Sequence, residues 1–181
     1  MPVRLGQAQT ADNYVSQGRT ALAAHDLATA NARFAQAVGL STNHQTANAL
    51  YGVTRVLVLF QQPTGSNFLT RLGLPVAGRN LYDWTAIPPK DINSVPLAPS
   101  GVNASEAVAV LRTNVLSEIT AALANLAKVT DTAFLLSLIA AVTGTTAVDV
   151  DYGDLMLMRA MLHGLEFIGY TAVIRWGEGR G

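Results

Sequence analysis

The sequence predicts a mainly α fold: one helical domain carrying a small β-hairpin near residues 134–150, with extended segments at both ends. Three observations predict it. Apolar residues recur at steps of three and four through 104–129 (Val108, Leu111, Val115, Ile119, Ala122, Leu126, Val129), which is one face of a long helix. Valine and aspartate alternate at the strand period from Val148 to Asp151. The chain has 181 residues, enough for one buried core and too few for two.

Val3 and Leu5 alternate with polar neighbours in a short N-terminal arm, 1–10. Thr10 is an N-cap residue and Asp12 stands in a favourable first turn, so a first helix is expected over 11–24. His25 and Asp26 make the turn. A second helix follows over 27–38, with Gly39 as its stop. A third runs over 45–60, before Gln61, Gln62 and Pro63.

Over these residues the chain resembles the tetratricopeptide repeat. Tyr14 falls at the large aromatic position and Gly18 at the small position of the first helix. Ala30, Phe34 and Ala37 fall at the packing positions of the second. Gly52 lies 34 residues after Gly18 (52 − 18 = 34), the period of that family. Gln17, Ala21 and Thr42 depart from its pattern, and no partner helix for a second repeat follows Phe60. The resemblance covers 11–60 and implies a helical hairpin whose groove takes a peptide or partner protein. In general pattern the chain is also similar to secreted bacterial repeat proteins, filament-forming subunits among them.

Residues 63–102 hold six of the seven prolines and form a Pro/Gly-rich lid, with a short helix near 67–72. Tyr82 and Trp84 in this lid need something to pack on. Asn103, Ala104, Ser105 and Glu106 read as a capping box opening the long helix; Asn103 also heads a glycosylation sequon. A hairpin turning at Gly144 is expected over 134–150, with helix over 134–142 as the competing reading. A core helix is expected over 154–168, apolar on nearly every side. A helix of that kind must be surrounded by protein or lipid. After Gly169 the residues suit a strand, which predicts an extended tail over 169–181. On that reading Tyr170, Ala172, Ile174 and Trp176 share one face and Val173 lies on the other. The competing reading continues the helix.

Chemistry is sparse. Charged residues are 13% of the chain, about half the roughly 25% of an ordinary soluble domain. Such a surface is expected to be covered by other copies or a partner. Net charge is zero and the only lysines are Lys90 and Lys128, which argues against nucleic acid. There is no cysteine. Met1 to Arg4 does not open a signal peptide, leaving either a removed leader or a cytosolic chain. The stretch from Leu155 to Ile174 is long enough to span a membrane, but Arg159, His163, Glu166 and two glycines argue against a stable span. Asp149, Asp151 and Asp154 are the one carboxylate cluster, and capping explains them better than calcium. His25, His44 and His163 are dispersed. Arg159 needs an anionic partner, with Glu118, Glu166 and Asp154 as candidates.

The expectation is therefore a non-enzymatic subunit with no cofactor and no metal, extracellular or at the cell surface. Copies of itself would join through Tyr170, Ala172, Val173, Ile174, Trp176, Val3 and Leu5 by strand addition and apolar packing. A peptide-binding adaptor is the alternative.

Overall fold

The computed structural model describes residues 9–74, 82, 90–95 and 102–177. Val3, Leu5, Trp84, half of the lid and the side chain of Trp176 lie outside the described residues. Helix α1 (Ala11–Ala23) starts at Thr10, whose hydroxyl oxygen accepts from the Asn13 N–H at 3.2 Å. Helix α2 (Leu27–Leu40) starts at Asp26, whose carboxylate accepts from the Thr29 N–H at 3.0 Å. Between them His25 takes a left-handed backbone with φ 60°, a conformation that glycine adopts more cheaply. The two helices pack as a hairpin. A Cβ on Gly18 would sit 2.4 Å from Phe34 Cε1, so the missing side chain is what lets the fully buried Phe34 ring reach α1.

Helix α3 (Gln45–Leu57) is capped by His44, whose Nδ1 accepts from the Ala47 N–H at 3.3 Å. The same ring makes its other bond, Nε2 to Asp12 Oδ1, at 2.9 Å, so the proton sits on Nε2. Helix α3 packs on α2 and also on α6 (Leu116–Leu126), which lies far along the chain. Gly52 marks this second contact: a Cβ there would come within 3.0 Å of Leu126 Cγ and 3.1 Å of the Ala122 carbonyl. The sequentially adjacent helix, α4 (Pro63–Arg71), instead packs on α5 (Ala104–Val110), where Arg71 Nη2 donates to Glu106 Oε2 at 2.8 Å.

The long helix exists as three joined pieces. Helix α5 (Ala104–Val110) is capped by Asn103, which accepts from Glu106 N–H at 2.8 Å. A π-helical stretch (Leu111–Val115) and α6 (Leu116–Leu126) continue it. A π turn holds one extra residue. That moves the buried face off the expected Val115, which is half-buried, onto Leu116, which is buried with Ile119, Ala122, Leu123 and Leu126.

Strand β1 (Leu135–Leu138) pairs antiparallel with β2 (Val148–Asp151), setting Leu136 against Val150 and Leu138 against Val148. A single helical turn, α7 (Ala140–Thr143), lies between them and ends on Gly144 at φ 77°. The hairpin follows the sequence expectation, but its first strand stops at Leu138 and a helical turn, not a tight turn at Gly144 alone, joins it to β2. The mainly α class with one small sheet follows the expectation too.

The C-terminal tail does not. Helix α8 (Tyr152–Gly177) runs through the residues read as an extended strand, so Tyr170, Ala172, Val173 and Ile174 do not alternate across a pleat. Strand addition by this segment is thereby excluded as drawn. The cause is tertiary. Gly169 lets α8 approach Leu116, whose Cδ2 would lie 2.6 Å from an added Cβ, and Val173 buries against Val108 and Leu116. That packing outweighs the strand preference of Thr171, Val173 and Ile174.

Candidate functional site

Two features go beyond a packed core: the outer face of α8 and a cavity beneath the hairpin. Helix α8 is about 39 Å long at 1.5 Å per residue. It is attached to its own chain along one narrow seam, Leu155, Leu162, Gly169 and Val173. Thr120 secures the middle by donating to Glu166 Oε1 at 2.6 Å. Tyr152, Met156 and Met158 lean partly on the core near its start, and the face opposite the seam is open. Leu157 is 62% exposed, Met161 63%, Phe167 73% and Ile168 63%, with Leu165, Tyr170 and Ile174 about half exposed. Leu157, Met161, Gly164 and Ile168 follow one another at steps of four, three and four, a straight apolar seam on the outer face.

The structure thus divides the residues expected to mediate assembly. Tyr170 and Ile174 are exposed, Ala172 is half-buried and Val173 belongs to the core. Gly18, Ala30, Phe34, Ala37 and Gly52 are buried. Tyr14 is half-buried, with the Arg33 guanidinium 5.9 Å from its ring centroid. The aspartates are occupied locally. Asp154 N–H donates to Asp151 Oδ1 at 2.9 Å, Asp151 N–H donates to Asp154 Oδ2 at 3.0 Å, and Asp149 accepts from the Ser137 hydroxyl. This reciprocal cap starts α8 directly from β2. Among the described residues no group of three or more His, Asp or Glu side chains is placed to hold a metal.

Arg159 finds none of its expected partners. Glu118 accepts from Arg55 Nε at 2.8 Å, Glu166 is taken by Thr120 and His163, and Asp154 serves the cap. Its Nη1 points at Met156 Sδ, 3.4 Å away, and its Nε is buried without a hydrogen bond among the described residues. One other helix bears on membranes. Among the described residues, Ala104–Leu126 is long and apolar enough to cross a bilayer, with a mean hydropathy of 1.3, and here it packs on α3 and α8.

The cavity lies where α1, α3, the hairpin and the start of α8 meet, and holds about 430 Å³. Leu22 of α1 and Ala49, Leu50, Val53 and Leu57 of α3 form one wall. Leu136, Leu138, Val142 and Val150 form the other, with Leu155 and Met158 at the end. Tyr82 closes it from the lid. Its ring stacks on His25, centroids 3.9 Å apart and planes 5° from parallel, while His25 Nε2 bonds the Ala141 carbonyl at 2.8 Å. Burial pushes the Tyr82 phenol above its ordinary pKa. The turn between α1 and α2 thus joins the lid to the hairpin.

No family model matches this chain, and neither does any curated protein or solved structure. In the sequence, the one signal for the cavity was an aromatic, Tyr82, in a loop with nothing local to pack on. Its wall residues are apolar and read as ordinary core.

Proposed function

We propose that the chain is a non-enzymatic, self-assembling structural subunit whose copies join through the outer face of α8. The observation that carries this reading is the exposure of Leu157, Met161, Leu165, Phe167 and Ile168 on one helix. Side chains of this kind, more than half exposed, leave on the order of 500 Å² of apolar surface, at the upper end for the largest patch on a monomer. Tyr170 and Ile174 extend it toward the ~800 Å² per partner of a standard interface. With net charge zero and 13% charged residues, little repulsion opposes the contact. Gly164, with open space around its missing Cβ, is a natural crossing point for an antiparallel pair of α8 helices.

A patch that meets itself closes into a pair. Growth into a filament needs a second, different patch, and the outer side of the hairpin offers Leu135, with Ile139 just beyond β1, both exposed. A surface or extracellular setting suits such a filament. The peptide-adaptor reading is less favoured, because Leu136, Leu138 and Val150 of the hairpin cover the α1 and α3 faces where a peptide would lie.

The test is a mass measurement across a concentration series, on the wild type and on Leu157→Ser with Ile168→Ser. Both side chains are mostly exposed, so the variant keeps its fold. Concentration-dependent dimers or larger species that revert to monomer in the variant are expected. A wild type that stays monomeric up to several hundred micromolar rejects the proposal.

A further inference from the structure

We propose that the cavity beneath the hairpin binds one uncharged, largely hydrocarbon molecule of about fifteen to eighteen heavy atoms. Protein interiors contain few voids larger than a water molecule. A space of about 430 Å³ lies within the range of small-molecule sites, roughly 300–1,000 Å³. A dry cavity of about 150 Å³ takes one benzene, so this one has room for about three times that many carbons.

The chemistry of the wall sets the class of ligand. Among the described residues none of the lining side chains is charged, and the hydroxyls are those of Thr54, Thr143 and Tyr82 at the mouth. The two threonine hydroxyls are already committed: Thr54 donates to the Leu50 carbonyl at 2.8 Å or Asn31 Oδ1 at 3.1 Å, and Thr143 bonds the Thr146 and Ala140 carbonyls. A carboxylate or ammonium placed there meets no counter-charge, and burying an unpaired ion is prohibitive. Water fares poorly as well, since it needs two to four polar partners. An apolar guest loses nothing by entering. Its route is marked by the half-buried members of the wall, Val53, Leu57, Leu138, Val142 and Met158, which the fully buried Leu22, Ala49 and Leu155 back.

The experiment titrates the intact chain with N-phenylnaphthylamine, an uncharged fluorescent probe of matching size, and follows emission and thermal melting. Saturable binding at one probe per chain is expected, with the melting temperature rising as ligand binds the folded state. Val53→Phe and Val142→Phe fill the cavity from opposite walls and should each weaken binding about tenfold or more. The Leu157→Ser, Ile168→Ser variant, which removes the α8 face, should bind as the wild type does. Loss of assembly with probe binding intact therefore separates the two proposals.

Dodecanol and neutral phosphatidylcholine vesicles are then added as competitors. Displacement by dodecanol alone supports a free ligand, displacement by vesicles supports a chain presented by a bilayer, and displacement by neither overturns the site. So does a wild type with neither saturable binding nor a raised melting temperature. Binding that survives both filled, folded variants overturns it too, as does binding lost in the α8 variant.

Discussion

The contact between Gly18 and Phe34 gives the sharpest test of the fold. Gly18→Ala adds one methyl in the middle of α1, where helix propensity alone would stabilise by about 1 kcal/mol. The new Cβ would lie 2.4, 2.7 and 2.8 Å from three carbons of the Phe34 ring, and that ring is completely buried. Forcing a methyl into such a site costs about 1–3 kcal/mol. Contacts this short put the cost in the upper half of that range, about 2–3 kcal/mol, so the clash wins by about 1–2 kcal/mol, a drop of roughly 2–6 °C in melting temperature for a chain of this size. Gly39→Ala is the control. It is the same chemical change in α2, with nothing within 4 Å of the added carbon, so it should stabilise by about 0.5–1 kcal/mol. Phe34→Leu in the Gly18→Ala background should recover part of the loss, giving a coupling energy in a double-mutant cycle. Urea or thermal unfolding followed by circular dichroism reads these three variants and Phe34→Leu alone, which completes the cycle. Equal responses at Gly18 and Gly39 would refute the packing argument, because propensity alone treats the two positions alike.

The remaining predictions concern buried polar groups and pH. Asn48 is 1% exposed, donates to the Thr42 and His44 carbonyls at 3.0 Å, and accepts from Asn125 Nδ2 at 2.9 Å, so Asn48→Ala should cost about 2–4 kcal/mol in urea unfolding. Asn125→Ala breaks only the last of these bonds, and a loss as large as that of Asn48→Ala would show that the ties to the α3 start carry little. The Thr29 backbone and hydroxyl bonds hold Asp26 below its ordinary value of 3.8, so its cap contributes stability above that pH and loses it as pH falls through the lowered folded value. Asp26→Asn keeps the cap. Its stability should match the wild type within about 0.5 kcal/mol at neutral pH and fall less steeply with acid, as unfolding midpoints against pH will show.

The helices, their caps and the hairpin were legible in the sequence because each is set by local rules. Thr10 and Asn103 accept the N–H three residues on, Gly144 supplies a left-handed turn, and the alternation at Val148–Asp151 pairs as a strand. Gly18 and Gly52, at the repeat-like period, were legible as close-packing positions, although the partner of Gly52 proved to be α6 and not the next helix along. Which surface answers a glycine is a question of long-range docking, and spacing carries no information about it.

Residues 169–177 show the same division from the other side. Their β-branched and aromatic residues suit a strand, yet a groove along α5 and α6 that accepts Gly169 and Val173 holds them as helix. The sequence by itself determined that α8 would be apolar on nearly every side. Only the tertiary structure decided which of those sides its own chain covers, because burial depends on neighbours about 50 to 65 residues away that no local pattern encodes. That leftover apolar face, and the space under the hairpin that Tyr82 closes, are products of packing geometry and could be seen nowhere else.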